Sequence, residues 1–317
     1  MYRKTHHLLL AVLISTPLIA SAETPAPTST VPALTANAEL KVFQSPDEAA
    51  KALLEALSQT DSQQLSALFG NQQAELLSSG DDVEDQNNRQ TFLNLAREKS
   101  VCEKIGEDRA ILHVGNTDWP FPIPLIKQAE HWRFDAEQGR QEILNRRIGR
   151  NELNTLATIR GYMEAQFEYA SADRDGDGVL EYAQKLHSEP SKFDGLFWES
   201  AEGQPQSPLG PLIAEARADG YKIDGTRTPY HGYYYRILTR QGSNAPGGKY
   251  DYIINGNMIA GFGLIAFPVN YGVSGIMTFV VNHQGKIYQK DLGSKTAQSV
   301  EKIKEYNPDS TWQAFTE

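Results

Sequence analysis

The sequence has few of the residues that usually mark a covalent or catalytic site. It contains one cysteine, Cys102, in 317 residues, so no disulfide can form within the chain. The five histidines after residue 22 are scattered and are never paired at the spacing of zinc ligands. Segments 242–249 and 272–275 lack residues that a phosphate loop or a serine nucleophile elbow requires. The sequence therefore predicts no catalytic residue and favours a protein that is not an enzyme.

Positive charge is also in deficit. The chain has 30 Lys and Arg against 40 Asp and Glu, which gives a formal net charge of −10. No basic stripe with interleaved aromatic residues occurs in the sequence. Because an acidic surface repels phosphate backbones, nucleic acid is a poor candidate partner.

Long apolar runs are confined to the start of the chain. Arg3 and Lys4 precede the apolar residues 8–19, and the small residues of segment 20–22 stand just before Glu23. This order predicts a signal peptide over residues 1–22. The run is shorter than the roughly 20 residues of a spanning helix, and no later segment is apolar enough to span a membrane. We expect the mature chain in the periplasm of a Gram-negative-type envelope, with secretion as the alternative.

The mature chain divides into a leader and two units. Residues 23–40 are rich in Pro, Thr, Ala and Ser without a periodic apolar face, which is typical of a flexible leader. Residues 41–148 begin with helical periodicity and continue with short strands at 110–114 and 131–134. This order predicts a small α+β unit. The polar, acidic segment 80–88 is predicted to be a solvated loop, and Gly139 to mark a turn.

Residues 149–317 are predicted to form a second unit, in which a helix packs on an antiparallel sheet. The helix covers about 20 residues, from Asn151 to Ala170. Its apolar stripe, which we expect to be buried, comprises Leu153, Leu156, Ile159, Met163, Phe167 and Ala170. Five strand-like segments follow between residues 230 and 289, separated by glycine-rich turns. The predicted fold class of the whole chain is therefore α+β.

Several motifs stand in the order of a known family. They are Asp173–Val179, Glu181–Gln184, Asp194–Trp198, Gly232–Arg236, Ala245–Gly248, Tyr271–Gly275, Val281–Gly285 and Tyr288–Gly293. With them, nearly the whole mature chain resembles domain-of-unknown-function family 2950, a set of exported Gram-negative proteins. The resemblance implies that the protein is exported. It does not indicate an activity, because the function of the family is unsettled.

The second unit also resembles part of a type IV pilin or pseudopilin. Residues 151–170 are similar to the solvent-exposed half of the pilin helix, and segments 232–236, 266–268, 278–281 and 287–288 are similar to the strands that pack on it. No apolar helix directly precedes Leu153, and the signal peptide is of a different class. The resemblance therefore implies a pilin-like fold that does not polymerise as a pilin.

The most specific motif is a calcium loop. Asp173, Asp175 and Asp177 occupy the first, third and fifth positions, Gly178 the sixth, and Val179 offers a carbonyl oxygen at the seventh. Glu181, at the ninth, is a further candidate ligand, and Leu180, at the eighth, is expected to pack inward. Gln184 stands at the twelfth, where an EF-hand has a bidentate Glu. We predict a structural Ca²⁺ site of modest affinity; the alternative is an acidic turn without an ion.

Aromatic residues provide the remaining signal. A candidate binding surface comprises Trp198, Tyr230, His231, Tyr233 and Tyr235, because aromatics with a polar tip are enriched in interfaces. The alternative is that these residues form the core and rim of a sheet.

The combined pattern favours a non-enzymatic function. We expect a periplasmic binding or assembly-accessory protein, stabilised by calcium, with an envelope protein or surface polymer as its partner. The alternative is an envelope hydrolase whose site is assembled only in three dimensions around His231.

Overall fold

The computed structural model describes residues 40–59, 61–70, 78–222 and 228–316. The predicted signal peptide and nearly all of the predicted leader lie outside these residues. None of the described helices is both long enough and apolar enough to cross a bilayer.

Three helices open the described chain: α1 at Pro46–Gln59, α2 at Ser62–Phe69 and α3 at Asp82–Glu98. A side chain caps the start of each. The hydroxyl of Ser45 accepts the N–H of Glu48, and Asp61 accepts the N–H groups of Gln63 and Gln64. Asp81 caps α3, so the prediction of a solvated loop over 80–88 was wrong.

The first sheet follows these helices. Its strands are β1 (Ser100–Lys104), β2 (Arg109–Val114), β3 (Trp119–Pro120), β4 (Leu125–Gln128) and β5 (His131–Phe134). They pair antiparallel in the order β1-β2-β4-β5, with β3 on β2. Buried and half-buried residues alternate along β2, and the buried ones share a core with α1 and α3. The strands predicted at 110–114 and 131–134 are confirmed.

Helix α4 is longer than predicted, since it runs from Ala136 to Tyr169. Its first half has few apolar residues, so apolar periodicity predicts only the second half of the helix. Asp135 caps the helix by accepting the N–H of Gln138. Gly139 does not mark a turn: a Cβ there would lie 2.6 Å from a side-chain carbon of Ile123. Glycine at this position lets the helix approach the segment between β3 and β4 closely.

The buried face of α4 differs from the predicted apolar stripe. Leu156 and Ile159 are buried as expected, but Leu153 is 67% and Phe167 is 48% exposed. The face that packs on the rest of the protein includes polar side chains, namely Asn151, Thr155, Thr158, Tyr162, Gln166 and Tyr169. These residues were overlooked because an apolar pattern does not count a buried polar group that is hydrogen-bonded.

The second sheet contains β6 (Tyr233–Leu238), β11 (Gly263–Pro268), β12 (Met277–Asn282), β13 (Tyr288–Asp291) and β14 (Gln313–Ala314). Its antiparallel order is β14-β13-β12-β11-β6, which places β6 at an edge. Two short hairpins lie outside this sheet. One pairs β7 (Arg240–Gln241) with β8 (Tyr250–Asp251), and the other pairs β9 (Ile253–Ile254) with β10 (Asn257–Met258).

The two faces of the second sheet are covered by different parts of the chain. Tyr233, Leu264 and Phe279 belong to the core that includes α4 and the residues after it, among them α5 (Gly210–Ala218). Their strand neighbours Ile265 and Val280 face the opposite core, which includes the short helix α6 (Thr296–Val300). This alternation is expected of strands buried on both faces.

The described chain is of the α+β class, as the sequence predicted. Its residues form one compact unit, and α4 runs without a break through the predicted boundary between residues 148 and 149. Whether residues 41–148 and 149–317 fold as separate domains stays a prediction.

Candidate calcium loop and ligand cavity

The loop after α4 brings three carboxylates together. Asp173, Asp175 and Asp177 each offer an oxygen, and these oxygens lie within 4.8 Å of one another. Two oxygens that each bind Ca²⁺ at about 2.3–2.6 Å are at most about 5 Å apart, so the spacing suits this ion. Gly176 and Gly178 have φ of +83° and +86°, a conformation that glycine adopts without strain. The chain thus makes the sharp turn that the sixth position of the pattern requires.

Backbone donors hold the carboxylates in this arrangement. Asp173 accepts the N–H groups of Gly176 at 2.7 Å and Gly178 at 2.9 Å. These bonds hold the pKa of Asp173 below its ordinary value, and the bond from Gly178 contributes most. The pKa of Glu181 is raised, first by burial and further by the charges of Asp175 and Asp177. A cation in the loop would relieve this repulsion.

Three hydrogen bonds made by side chains of the loop tie it to the β9–β10 hairpin. Asp177 accepts from the amide of Asn257 at 2.6 Å, and Glu181 accepts the N–H of Met258 at 2.8 Å. Gln184 donates to the carbonyl oxygen of Gly256 at 2.6 Å. A conformational change in the loop would therefore be transmitted to the hairpin.

Two positions of the predicted pattern behave differently from an EF-hand. Leu180 is 59% exposed, so the expectation that it packs inward was wrong. The residues around it turn toward the hairpin, with Tyr182 N–H donating to the carbonyl oxygen of Met258 at 2.9 Å. The side-chain amide of Gln184, at the twelfth position, donates to the hairpin. Glu181 therefore remains the fourth candidate carboxylate.

The predicted aromatic surface is not assembled as one face. Tyr233 and Trp198 are buried, with the Tyr233 hydroxyl donating to the carbonyl oxygen of Met277 and the Trp198 indole to that of Pro205. Tyr230 and His231 are half-buried, with ring centroids 4.1 Å apart. Core packing thus explains Trp198 and Tyr233, the alternative that the sequence left open.

A buried carboxylate lies next to His231. Asp81, which is 2% exposed, accepts the hydroxyl of Tyr221 at 2.8 Å and the N–H of Gly232 at 3.1 Å. The N–H of His231 itself donates to the Tyr221 oxygen at 3.3 Å. The start of α3 is thereby joined to the turn before β6.

Glu84, one turn into α3, is buried as well. One carboxylate oxygen accepts from two nitrogens of Arg150 at 3.0 and 3.2 Å. The other oxygen is buried and has no hydrogen-bond partner among the described residues. Burial raises the pKa of Glu84, whereas the charges of Arg150 and His231 lower it less strongly. Sequence reasoning missed both acids, although an Asp followed three residues later by Glu is a recognisable helix-start signal.

A cavity of about 510 Å³ lies between α4, α5 and β6. Its described lining is mainly leucine, isoleucine and tyrosine, and it includes Tyr230 and Tyr235 of the predicted surface. This volume falls within the roughly 300–1,000 Å³ of small-molecule and cofactor sites. His231 and Glu84 are not among the described lining residues.

Cys102 is half-buried on β1 and unpaired. Burial, with a smaller contribution from Asp47, raises the pKa of its thiol to about 12. The thiol is therefore protonated at neutral pH, as expected of an inert cysteine.

Among known proteins, the chain matches one family. The family model described as "Protein of unknown function (DUF2950)" matches residues 40–315. No curated protein and no solved structure matches the chain. The resemblance to a pilin therefore stays a hypothesis.

Proposed function

The chain belongs to the DUF2950 family, and we propose that it is a non-enzymatic binding or assembly-accessory protein of the periplasm, stabilised by calcium. The observation that carries the proposal is the cavity between α4, α5 and β6. It is large enough for a ligand, and its described lining contains tyrosine hydroxyls and one imidazole, that of His187, but no carboxylate to pair with it. Such a lining suits selective binding better than acid–base chemistry.

Calcium has a structural role in this proposal. Asp173, Asp175 and Asp177 bind the ion with the carbonyl oxygen of Val179, and Glu181 completes the site directly or through a water. We expect the modest affinity of extracellular modules, on the order of 10⁻⁴–10⁻³ M. Because the loop contacts the β9–β10 hairpin, the bound ion fixes the end of α4 relative to that hairpin.

Site-specific crosslinking in intact cells tests the binding role. A photoreactive amino acid replaces Leu212, which lines the cavity, or Leu153, an exposed residue of α4 that does not. We expect a defined crosslinked species from position 212 and not from position 153. Equal crosslinking at both positions, or none at position 212, would oppose the proposal.

Hydrolysis is the second candidate function, and the buried carboxylate of Glu84 near His231 is the observation that favours it. In that case Glu84 would act as an acid with its raised pKa, and His231 would hold or transfer the proton. Turnover of an envelope polymer by the wild-type protein, lost in both Glu84→Gln and His231→Gln, would support it. No turnover, or turnover that both variants retain, would reject it.

A further inference from the structure

Among the described residues, the outer edge of strand β6 is hydrogen-bonded at its two ends and not between them. At one end, the N–H and C=O of Tyr233 both bond with Tyr230, at 3.2 and 2.9 Å. At the other end, the carbonyl oxygen of Thr239 accepts the N–H of Tyr252 at 2.8 Å. Both contacts lie on the side of β6 that faces away from its partner β11.

Between these two contacts, that side of β6 has no backbone partner among the described residues. In an antiparallel pair, backbone groups of successive residues point alternately toward and away from the partner strand. Since Tyr233 and Thr239 point away from β11, Tyr235 and Ile237 point away as well. Within the described part of the chain, no backbone group pairs with the outward N–H and C=O of these two residues.

The open edge and the cavity are the same place. Tyr235 and Ile237 line the cavity of about 510 Å³, with α5 on its other side. Two N–H and two C=O groups, repeated every second residue, match the repeat of an extended polypeptide. A ligand that satisfies all four groups at once is therefore a peptide in the β conformation.

The lining also specifies the charge of the ligand. No carboxylate or lysine is among the described lining residues, and the imidazole of His187, which is among them, packs on the ring of Phe197 with centroids 5.6 Å apart. The one charged side chain of β6, Arg236, directs its guanidinium to the carbonyl oxygens of Val300 and Ile303 at 2.7 and 2.6 Å, beside α6. A charged side chain in the cavity would lose its hydration without gaining a counter-charge, which disfavours charged ligands.

We propose that a short, extended and uncharged peptide segment binds as an added strand at Tyr235 and Ile237, with apolar side chains in the cavity. This deepens the proposed binding role and rests on it. Its test uses purified protein, so it fails separately from the cellular crosslinking: without peptide binding, a crosslink at position 212 would report a partner of another kind.

Hydrogen exchange of the protein from residue 23 onward, followed by NMR, tests the proposal. The probe is a library of acetylated and amidated pentapeptides made from Ala, Val, Leu, Ile, Thr and Tyr. Without peptide, we expect the amides of Tyr235 and Ile237 to exchange at least about tenfold faster than those of Tyr234 and Arg236, which face β11. The library should slow exchange at Tyr235 and Ile237 by about tenfold or more, as a new strand would.

Two controls separate backbone pairing from apolar binding. A library methylated on every backbone nitrogen cannot donate, and we expect it to give no protection. Ile237→Pro removes one outward N–H while Ile237→Val keeps it; a proline is tolerated where an edge strand's N–H faces outward. Affinity should fall about tenfold in Ile237→Pro, the effect of one hydrogen bond of about 1.4 kcal/mol, and change little in Ile237→Val.

Three results would overturn the proposal. They are strong protection of Tyr235 and Ile237 without peptide, no protection by the unmethylated library, and equal protection by the methylated one. The methylated library is used with the wild-type protein, so the test stands even if Ile237→Pro does not fold.

Discussion

Gln166 binds both backbone groups of Ala183, 17 residues further along the chain. Its side-chain oxygen accepts the N–H of Ala183 at 2.9 Å, and its side-chain nitrogen donates to the carbonyl oxygen at 2.9 Å. The same nitrogen also donates to the hydroxyl of Tyr162. All three residues are buried. The chain therefore leaves α4 after Tyr169, forms the calcium loop, and is bound to α4 again at Ala183.

Replacing Gln166 with Met should destabilise the protein by about 3 kcal/mol, because the two buried backbone groups of Ala183 would lose their partners. Urea denaturation measures this loss. Gln141→Met, at an exposed position of the same helix, is the control and should change the unfolding free energy by about 0.5 kcal/mol or less. Equal effects of the two variants would show that the contact with Ala183 contributes little.

Tyr221→Phe removes the hydroxyl that donates to the buried carboxylate of Asp81. A hydrogen bond to a charged group contributes about 1.5–3 kcal/mol, so we expect a loss of about 2 kcal/mol in thermal or urea unfolding. Tyr271→Phe is the matched control, since its hydroxyl donates at 3.1 Å to the exposed Asp291. It should cost about 0.5 kcal/mol or less. A larger loss in Tyr271→Phe than in Tyr221→Phe would contradict this interpretation.

Glu84→Gln should change how stability depends on pH. Burial raises the pKa of Glu84 above 4.5, so the proton binds more tightly in the folded state than in the unfolded state. The resulting stabilisation is fully present below the unfolded pKa and is lost as pH rises through the folded pKa. Between about pH 4.5 and 7, the melting temperature of the wild type should therefore fall relative to that of Glu84→Gln.

The same comparison with Glu130→Gln, at an exposed position, serves as the control. That variant should follow the wild-type curve. If the curves of Glu84→Gln and the wild type are parallel over this range, the carboxyl of Glu84 does not titrate as described.

The sequence was most informative where the pattern was local. The D-x-D-x-D-G spacing alone predicts that Asp173, Asp175 and Asp177 converge, and the structure places their oxygens together. The strand at 110–114 was also predicted from its local pattern, and its buried and half-buried residues alternate. Such features depend on neighbouring residues, which a single sequence displays.

Long-range contacts were not predictable in the same way. Asp81 lies in a polar run, but its carboxylate is buried because Tyr221 and Gly232 supply donors from 140 and 151 residues away. Phe167 fits the apolar period of α4, yet it is 48% exposed, with T-shaped ring contacts to Tyr182 and Phe262. The gap beside Tyr235 and Ile237 likewise depends on how Tyr230 and Tyr252 are placed, which no local pattern reveals.

Calcium binding by the loop of residues 173–181 is tested most directly by isothermal titration calorimetry on the wild type, Asp175→Ala and Asp108→Ala. Asp108 is an exposed acid in the turn between β1 and β2 and serves as the control. We predict one site with a Kd on the order of 10⁻⁴–10⁻³ M in the wild type and in Asp108→Ala, and no detectable site in Asp175→Ala. Millimolar calcium should also raise the melting temperature of the first two proteins only. No heat with the wild type, or the same binding in Asp175→Ala, would contradict the calcium site.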